Sequence, residues 1–545
     1  MNYRTLLAVL SLLLFTNTVY ADKVELSEAI DMPNTGWNKV LQVSNGNTLL
    51  FHFEPRKSIL VKVFDKDRKE VASEKFLGKT FDCGDLELSE FNGLYDINGE
   101  AALFFTQSIL NNNTLMLLRF DAQTGKIIKE EALVRSPSFK ARNTYSVVRN
   151  TVKGGYAVFC MKDLEANFKE TLKLLVFDEK HTMAHEVPVP ISMDDYDFVE
   201  HVSTQCGNDG SYVVTLTYKK IIHFPNDIDR FLALCYLPDG STAFSSVVTK
   251  LPANTAPYFS MYTYNDFGGM LNLFLVNAMT IYYKNGLQTL TREVYEPFML
   301  MYNKADISSM KYTGISHKMA NKYLQDQTGD TTTFIAPIPM TAYTNKYGMT
   351  TLISEENVLK LRIKNITTNR TLIGHIVVTT MNDMGEETWS VILPKKQFVE
   401  NVLTSYDLHN REKSARLFRR ADPNSDWLYQ FVSHKSFMSP KGDCYVLYND
   451  LPSNDHKNLA SGVDSMYSNS ADKNYESTNA IFYKITKKRE VSKSNLFNTS
   501  ENGLLYPAMI EAGNFNEQTQ TYSTIVLERS GDGYIHKLGW RVFED

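Results

Sequence analysis

Five cysteines in 545 residues are too few for a disulfide scaffold, and their odd number leaves at least one thiol unpaired within a chain. Cys83, Cys160, Cys206, Cys235 and Cys444 form no C-x-x-C pair and no Cys/His zinc spacing. Buried free thiols are therefore expected, with no metal and no cofactor. Basic residues do not outnumber acidic ones, and the net charge of −5 gives no footprint for nucleic acid. No run beyond residue 21 approaches the roughly 20 apolar residues that span a bilayer, so no transmembrane segment is expected after signal cleavage. The signatures G-x-S-x-G, H-E-x-x-H, the P-loop and the EF-hand loop are all missing. Tryptophan is scarce at 4, but 31 Phe and 30 Tyr supply large anchors for a core.

The N-terminus has the layout of a secretory signal. Arg4 supplies the positive region, Leu6 to Phe15 the apolar run, and Val19-Tyr20-Ala21 the small or apolar residues before a cut after Ala21. Residues 1–21 are expected to be removed, leaving 22–545 as one domain. The last strand-like run ends close to the C-terminus, so a separate secretion domain is not expected. The product is expected in the periplasm, or secreted.

One pattern recurs along the chain. A strand-like run meets a Gly-containing turn and then a second β-rich run, as at Gly46 (NTLLFHF), Gly99 (EAALFFT), Gly210 (SYVVTLTY) and Gly442 (DCYVLY). A second hairpin follows each, opening with SILVKVFD, TLMLLRFD, TLKLLVFD or FLALCYLPD. Its aromatic anchors Phe64, Phe120, Phe177 and Tyr236 recur at intervals of 56, 57 and 59 residues. Four strands per unit at this spacing predict an all-β β-propeller. Eight first hairpins favour eight blades. Seven remains the alternative if the stretched unit near 310–400 is an insertion, and two tandem β-sandwiches are a weaker one. The final unit lacks a fourth strand, while KVELSEAI at 23–30 is an orphan strand. Pairing the two closes the ring and removes a sheet edge.

The first-to-second and third-to-fourth strand turns are short and share one face. The other face collects the long connections, expected as loop insertions at 279–297, 308–332, 394–426 and 450–478. Binding is expected there. In the first segment Tyr282, Tyr283, Arg292, Glu293 and Tyr295 set aromatics beside charges, a mixture suited to a sugar or peptide. The third ends in a basic stretch (Arg411, Lys413, Arg416, Arg419, Arg420), expected as a solvated helix face. The fourth, rich in Ser, Asn and Asp, is expected to be a mobile loop. Along the channel the first strands offer Asp96, Arg149, His201, Tyr262, Tyr343, His434 and Glu511, of which Arg149, His201 and His434 are ligand-binding candidates. Asp194, Asp195 and Asp197 are expected to be solvated loop charges rather than a Ca²⁺ site.

Asp383-x-Gly385-x-x-Thr388-Trp389 resembles the Asp-box of sialidase-like propellers, with Met381 replacing the leading Ser. The match implies a structural turn, with Asp capping it, and no sialidase activity. The whole chain resembles exported, functionally uncharacterised β-propeller-like repeat proteins of Bacteroidota through its signal segment, its LFHFEP and VKVFDKD runs and its Tyr/Phe/Asn content. Together these features predict an exported, non-catalytic binding or scaffold protein whose ligand is a glycan, a peptide or an envelope protein. A propeller enzyme acting on glycans and a structural subunit of an envelope assembly are the alternatives.

Overall fold

The computed structural model describes residues 23–543 except 110–111, 136–142, 163–171, 191–195, 224–226, 252–256, 266–268, 286–287, 346–347, 362–369, 401–427, 469–473, 498–503 and 531–532. Eight antiparallel sheets follow one another along the chain and form an eight-bladed β-propeller. Blades 1 to 8 span 37–76, 90–135, 143–188, 198–250, 257–314, 338–393, 435–495 and 514–542. The stretched region is thus a full blade, the sixth, and sevenfold symmetry is excluded. The innermost strands of blades 1 to 6 touch in sequence around the axis, and blade 8 touches blade 1.

Burial follows position within a blade. Second strands such as Thr48–Glu54 and Cys444–Asp450 are covered on both faces by neighbouring blades. They are therefore nearly continuous apolar runs rather than alternating ones. Fourth strands such as Glu70–Phe76 and Ser245–Lys250 form the rim and alternate with charged or hydroxyl residues, which blunt the exposed edge. Aromatic rings lock adjacent blades: Phe51 meets Phe120 edge-on at 5.3 Å and Phe53 meets Phe105 at 5.7 Å across blades 1 and 2.

The orphan strand closes the ring. Val24–Leu26 pairs antiparallel with Gly533–Val542 and supplies the fourth strand of blade 8. Arg68 of blade 1 clamps this joint, bonded to Glu25 at 2.8 Å and lying over Trp540 at 4.8 Å.

The long connections are more regular than expected. Segment 279–297 is paired strand, because Met270–Asn285 and Gln288–Asn303 form one long hairpin. Segment 308–332 holds the end of strand Asp306–Gly314 and a helix, Lys318–Thr328, which buries Ala320 and Leu324 and stops at Gly329. Of 394–426, strand Gln397–Glu400 is described and pairs with Met466–Ser468, tying blade 6 to the connection of blade 7. The basic stretch from Arg411 to Arg420 lies outside the described residues. The described part of segment 450–478 (450–468 and 474–478) is folded rather than loose, with Asn454, Met466 and Tyr475 buried. Its polar residues bond one another: Asn454 Nδ2 donates to Asp450 Oδ1 at 2.7 Å and Asn454 Oδ1 accepts from Asp464 N at 2.7 Å. Polar composition here satisfies backbone instead of solvating it.

Candidate functional site

The first-to-second strand turns lie at one end of the ring, and there a cavity of about 1230 Å³ opens at the mouth of the central channel. It is built by blades 4, 6, 7 and 8 and runs into the cleft between blades 6 and 7. Strand register explains its wall. On blade 6, Tyr343 pairs with Thr351, Thr351 with Thr380 and Thr380 with Trp389, so one cross-strand row puts two rings and two hydroxyls on the cavity. On blade 7 the row Met438–Cys444–Ile485 forms the facing apolar wall. Tyr343 Oη donates to Ser436 O at 2.6 Å, which fixes its ring, and burial raises its pKa above the ordinary tyrosine value.

The rim is cationic. Lys441 comes from the first turn of blade 7, and Lys487 and Arg489 from its second. Asp443 does not neutralise them, since its carboxylate takes Lys484 at 3.0 Å and the backbone N–H of Lys487 at 3.3 Å. Glu517 of blade 8 is the only carboxylate among the described lining residues. Cys206 lines the cavity, but burial pushes its thiol up to about 12, so it is no nucleophile near neutral pH. Among the described residues, no group of three His, Cys, Asp or Glu side chains is placed to hold a metal ion.

A second cluster lies at the opposite end of the innermost strand of blade 7. The buried segment 428–434 enters that strand and touches four blades. Gln430 Oε1 accepts from Asn38 N of blade 1 at 3.0 Å, and Gln430 O accepts from Glu511 N in the turn that enters blade 8. Phe431 O accepts from Asn449 of blade 7 at 2.8 Å. Glu355 of blade 6 binds Lys395 at 2.5 Å, His434 at 2.9 Å and Ser433 at 3.2 Å. Lys395, Glu355 and His434 side chains are at most 1% exposed, and burial lowers the Lys395 pKa against the pull of Glu355. This cluster is a structural fastener, since solvent does not reach it.

The residues singled out from sequence fall in several places. Tyr343 reaches the cavity. His434 is sealed in the fastener. Glu511 is buried there too, 3.6 Å from Lys435. Arg149 ends the innermost strand of blade 3, and its Nε is buried without a hydrogen-bond partner among the described residues. His201 stacks on Phe159 at 4.6 Å and bonds Thr204 at 2.8 Å. Asp96 accepts from Ser44 N and Gly99 N, a turn cap. The backbone of Tyr282, Tyr283, Arg292, Glu293 and Tyr295 lies in the long hairpin, at the other end of the ring from the cavity. Pairing puts Tyr282, Glu293 and Tyr295 at one set of alternating positions and Tyr283 and Arg292 at the other. Their side chains, like that of Tyr262, lie outside the described residues. Asp194 and Asp195 do so entirely, while Asp197 accepts from Ile221 N at 2.6 Å. In the Asp-box-like turn Asn382, not Asp383, is the cap: its Oδ1 accepts from Met384 N at 3.1 Å and Glu386 N at 2.8 Å.

The cavity residues were not singled out as a group, because each is an ordinary strand or turn residue and they meet only through register. No family model and no curated protein matches the chain. Among solved structures it is similar to the Dos1 propeller, at 9% identity over 95% of both chains with a TM-score of 0.39. It is similar to the polysaccharide lyase Uly1 at 8% identity over 84% of this chain and 90% of that one, TM-score 0.37. It is similar to an alpha-L-arabinanase of Penicillium chrysogenum at 12% identity over 67% of this chain and 98% of that one, TM-score 0.31. At such values the propeller rests on the eight sheets and their closure, and no activity passes to this chain.

Proposed function

We propose that this chain is an exported, non-catalytic binding protein that holds a small ligand in the cavity at the channel mouth. Export rests on the signal-like residues 1–21. The observation that carries binding is the cavity itself, about 1230 Å³ with two rings and two hydroxyls facing an apolar wall under a cationic rim. That is the mixed lining a small-ligand site needs. Hydrolysis of a glycoside takes two carboxylates, and among the described lining residues Glu517 supplies one.

A thermal-shift screen of residues 22–545 against glycans and peptides tests this. A ligand at 100 times its Kd stabilises the fold by about 2.7 kcal/mol. The hit must then disappear in Thr351→Trp, whose side chain fills the cleft while leaving the blade register intact. A hit that persists undiminished in that variant rejects the cavity as its site. Product analysis on the same hit detects any turnover.

A further inference from the structure

The hairpin turns of a propeller offer an internal comparison. In the first-to-second strand turns of blades 1 to 7 a residue with positive φ is glycine (Gly46, Gly99, Gly154, Gly210, Gly269, Gly348, Gly442), which adopts that conformation without strain. Blade 2 adds Asn98 at φ 52° beside its glycine, and blade 8 has no glycine there, placing Gln520 at φ 49° instead. The third-to-fourth strand turns use Gly125, Gly240 and Gly385 at φ 69°, 72° and 82°. Three of these turns use a larger residue instead: Arg68, His181 and Arg489.

A non-glycine residue in this region is strained by its Cβ, so its side chain is expected to compensate. Two of the three do so within the protein. Arg68 clamps Glu25 and Trp540 at the ring closure. His181 packs on Tyr156 with ring centroids 5.7 Å apart. Arg489 makes no ion pair or ring contact among the described residues, and it lines the cavity. Gln520 also lines the cavity, and its Oε1 is buried without a hydrogen-bond partner among the described residues. Gln520 Nε2 donates to Glu517 O at 2.5 Å within its own turn, so Arg489 is the exception without a side-chain contact among the described residues, and both residues line one cavity.

We infer that Arg489 and Gln520 are specificity residues for an anionic saccharide, one carrying carboxylate or sulfate groups among free hydroxyls. The inference rests on the proposed binding site. The guanidinium of Arg489 presents a planar fork that matches a carboxylate or sulfate, and Lys441 and Lys487 add point charges beside it. Gln520 Oε1 is an acceptor and calls for a donor, which a sugar hydroxyl supplies. Tyr343 and Trp389 offer ring surface to the apolar face of a pyranose. An extended acidic peptide meets the charges but leaves the ring surface unused.

Calorimetric titration with tri-galacturonate, a sulfated galactotriose, the carboxyl-reduced trimer and penta-glutamate tests this. At least one anionic sugar is expected to bind more tightly than both the reduced trimer and the peptide, and to weaken as salt rises. Arg489→Gly is expected to weaken it about tenfold, the loss of one charge-assisted contact. The same variant is expected to hold or raise Tm, because glycine relieves the positive φ. A purely structural Arg489 predicts no change in binding. Equal binding of the reduced trimer, unchanged by Arg489→Gly, overturns the anionic specificity while leaving the binding site standing. Equal or tighter binding of penta-glutamate overturns the saccharide class. Failure of every probe overturns the inference, and the Thr351→Trp test on any screening hit then decides the binding reading separately.

Discussion

At one end of the innermost strand of blade 7, Lys395, Glu355 and His434 are packed against one another out of reach of water. At the other end, Lys441, Lys487 and Arg489 surround an open cavity. The two ends use the same kinds of side chain. In the first, each charge has a partner, Lys395 on Glu355 beside blade 6 and His434 on Glu355 across the boundary with blade 7, from segments 40 and 79 residues apart. In the second, the cations have no ion pair among the described residues, and Asp443 is already engaged by Lys484. A satisfied buried charge specifies how blades assemble, whereas an unsatisfied exposed one at a concave site is available to a ligand.

The comparison can be broken most forcefully at the seam. Deleting residues 23–30 removes the fourth strand of blade 8 and exposes a sheet edge. The largest effect is expected here: loss of soluble monomer in size-exclusion chromatography. Next, Glu355→Ala strands a buried lysine. It should cost about 3–5 kcal/mol in denaturant unfolding, whereas Lys487→Ala at the mouth should stay within about 0.5 kcal/mol. Similar costs for the two variants would erase the distinction.

Acid acts more gently. His52, His317 and His375 are buried, and burial lowers each to about 4 from an ordinary 6.5. His375 Nδ1 also accepts from Lys395 N at 3.1 Å, a bond only the neutral ring can make. Between pH 6.5 and 4 the unfolded chain takes up protons that the folded one refuses, so stability falls as pH falls. Each histidine contributes roughly 3 kcal/mol to that loss once the pH is below 4. Unfolding midpoints at pH 7 and pH 4 measure it, and a flat profile contradicts the assignment. The smallest effect concerns the thiols. Burial pushes Cys83, Cys160, Cys206, Cys235 and Cys444 up to about 12, so iodoacetamide at pH 8 should label none in the native state and all five after unfolding.

Much of the architecture was legible in sequence, because a blade repeats its pattern. The Phe-Asp ending of third strands at Phe64-Asp65, Phe120-Asp121 and Phe177-Asp178 marks a buried anchor followed by a turn cap. Asp65, Asp121 and Asp178 each accept backbone N–H bonds in the turn that follows. The orphan strand at the N-terminus gave the closure for the same reason. The mouth cavity was not legible, since Tyr343, Thr351, Thr380 and Trp389 are adjacent only through strand register. A usable signal is present in the turns: aligning them exposes Gln520 in a first turn where the other blades carry glycine, and Arg489 in a second turn where other blades use either glycine or a larger residue. Polar composition does not distinguish a solvated loop from a self-bonded one, and in segment 450–478 Asn454 and Asp464 bond within the segment.

The central claim is that binding occurs at the channel mouth rather than on the long-connection end. Its most direct measurement is the Kd of one screening ligand for the parent chain, Thr351→Trp, and the double variant Tyr283→Ala/Arg292→Ala in the long hairpin. Loss of binding in Thr351→Trp with an unchanged Kd in the hairpin variant is the predicted result. An unchanged Kd in Thr351→Trp with loss in the hairpin variant would contradict it and move the site to the opposite end of the ring.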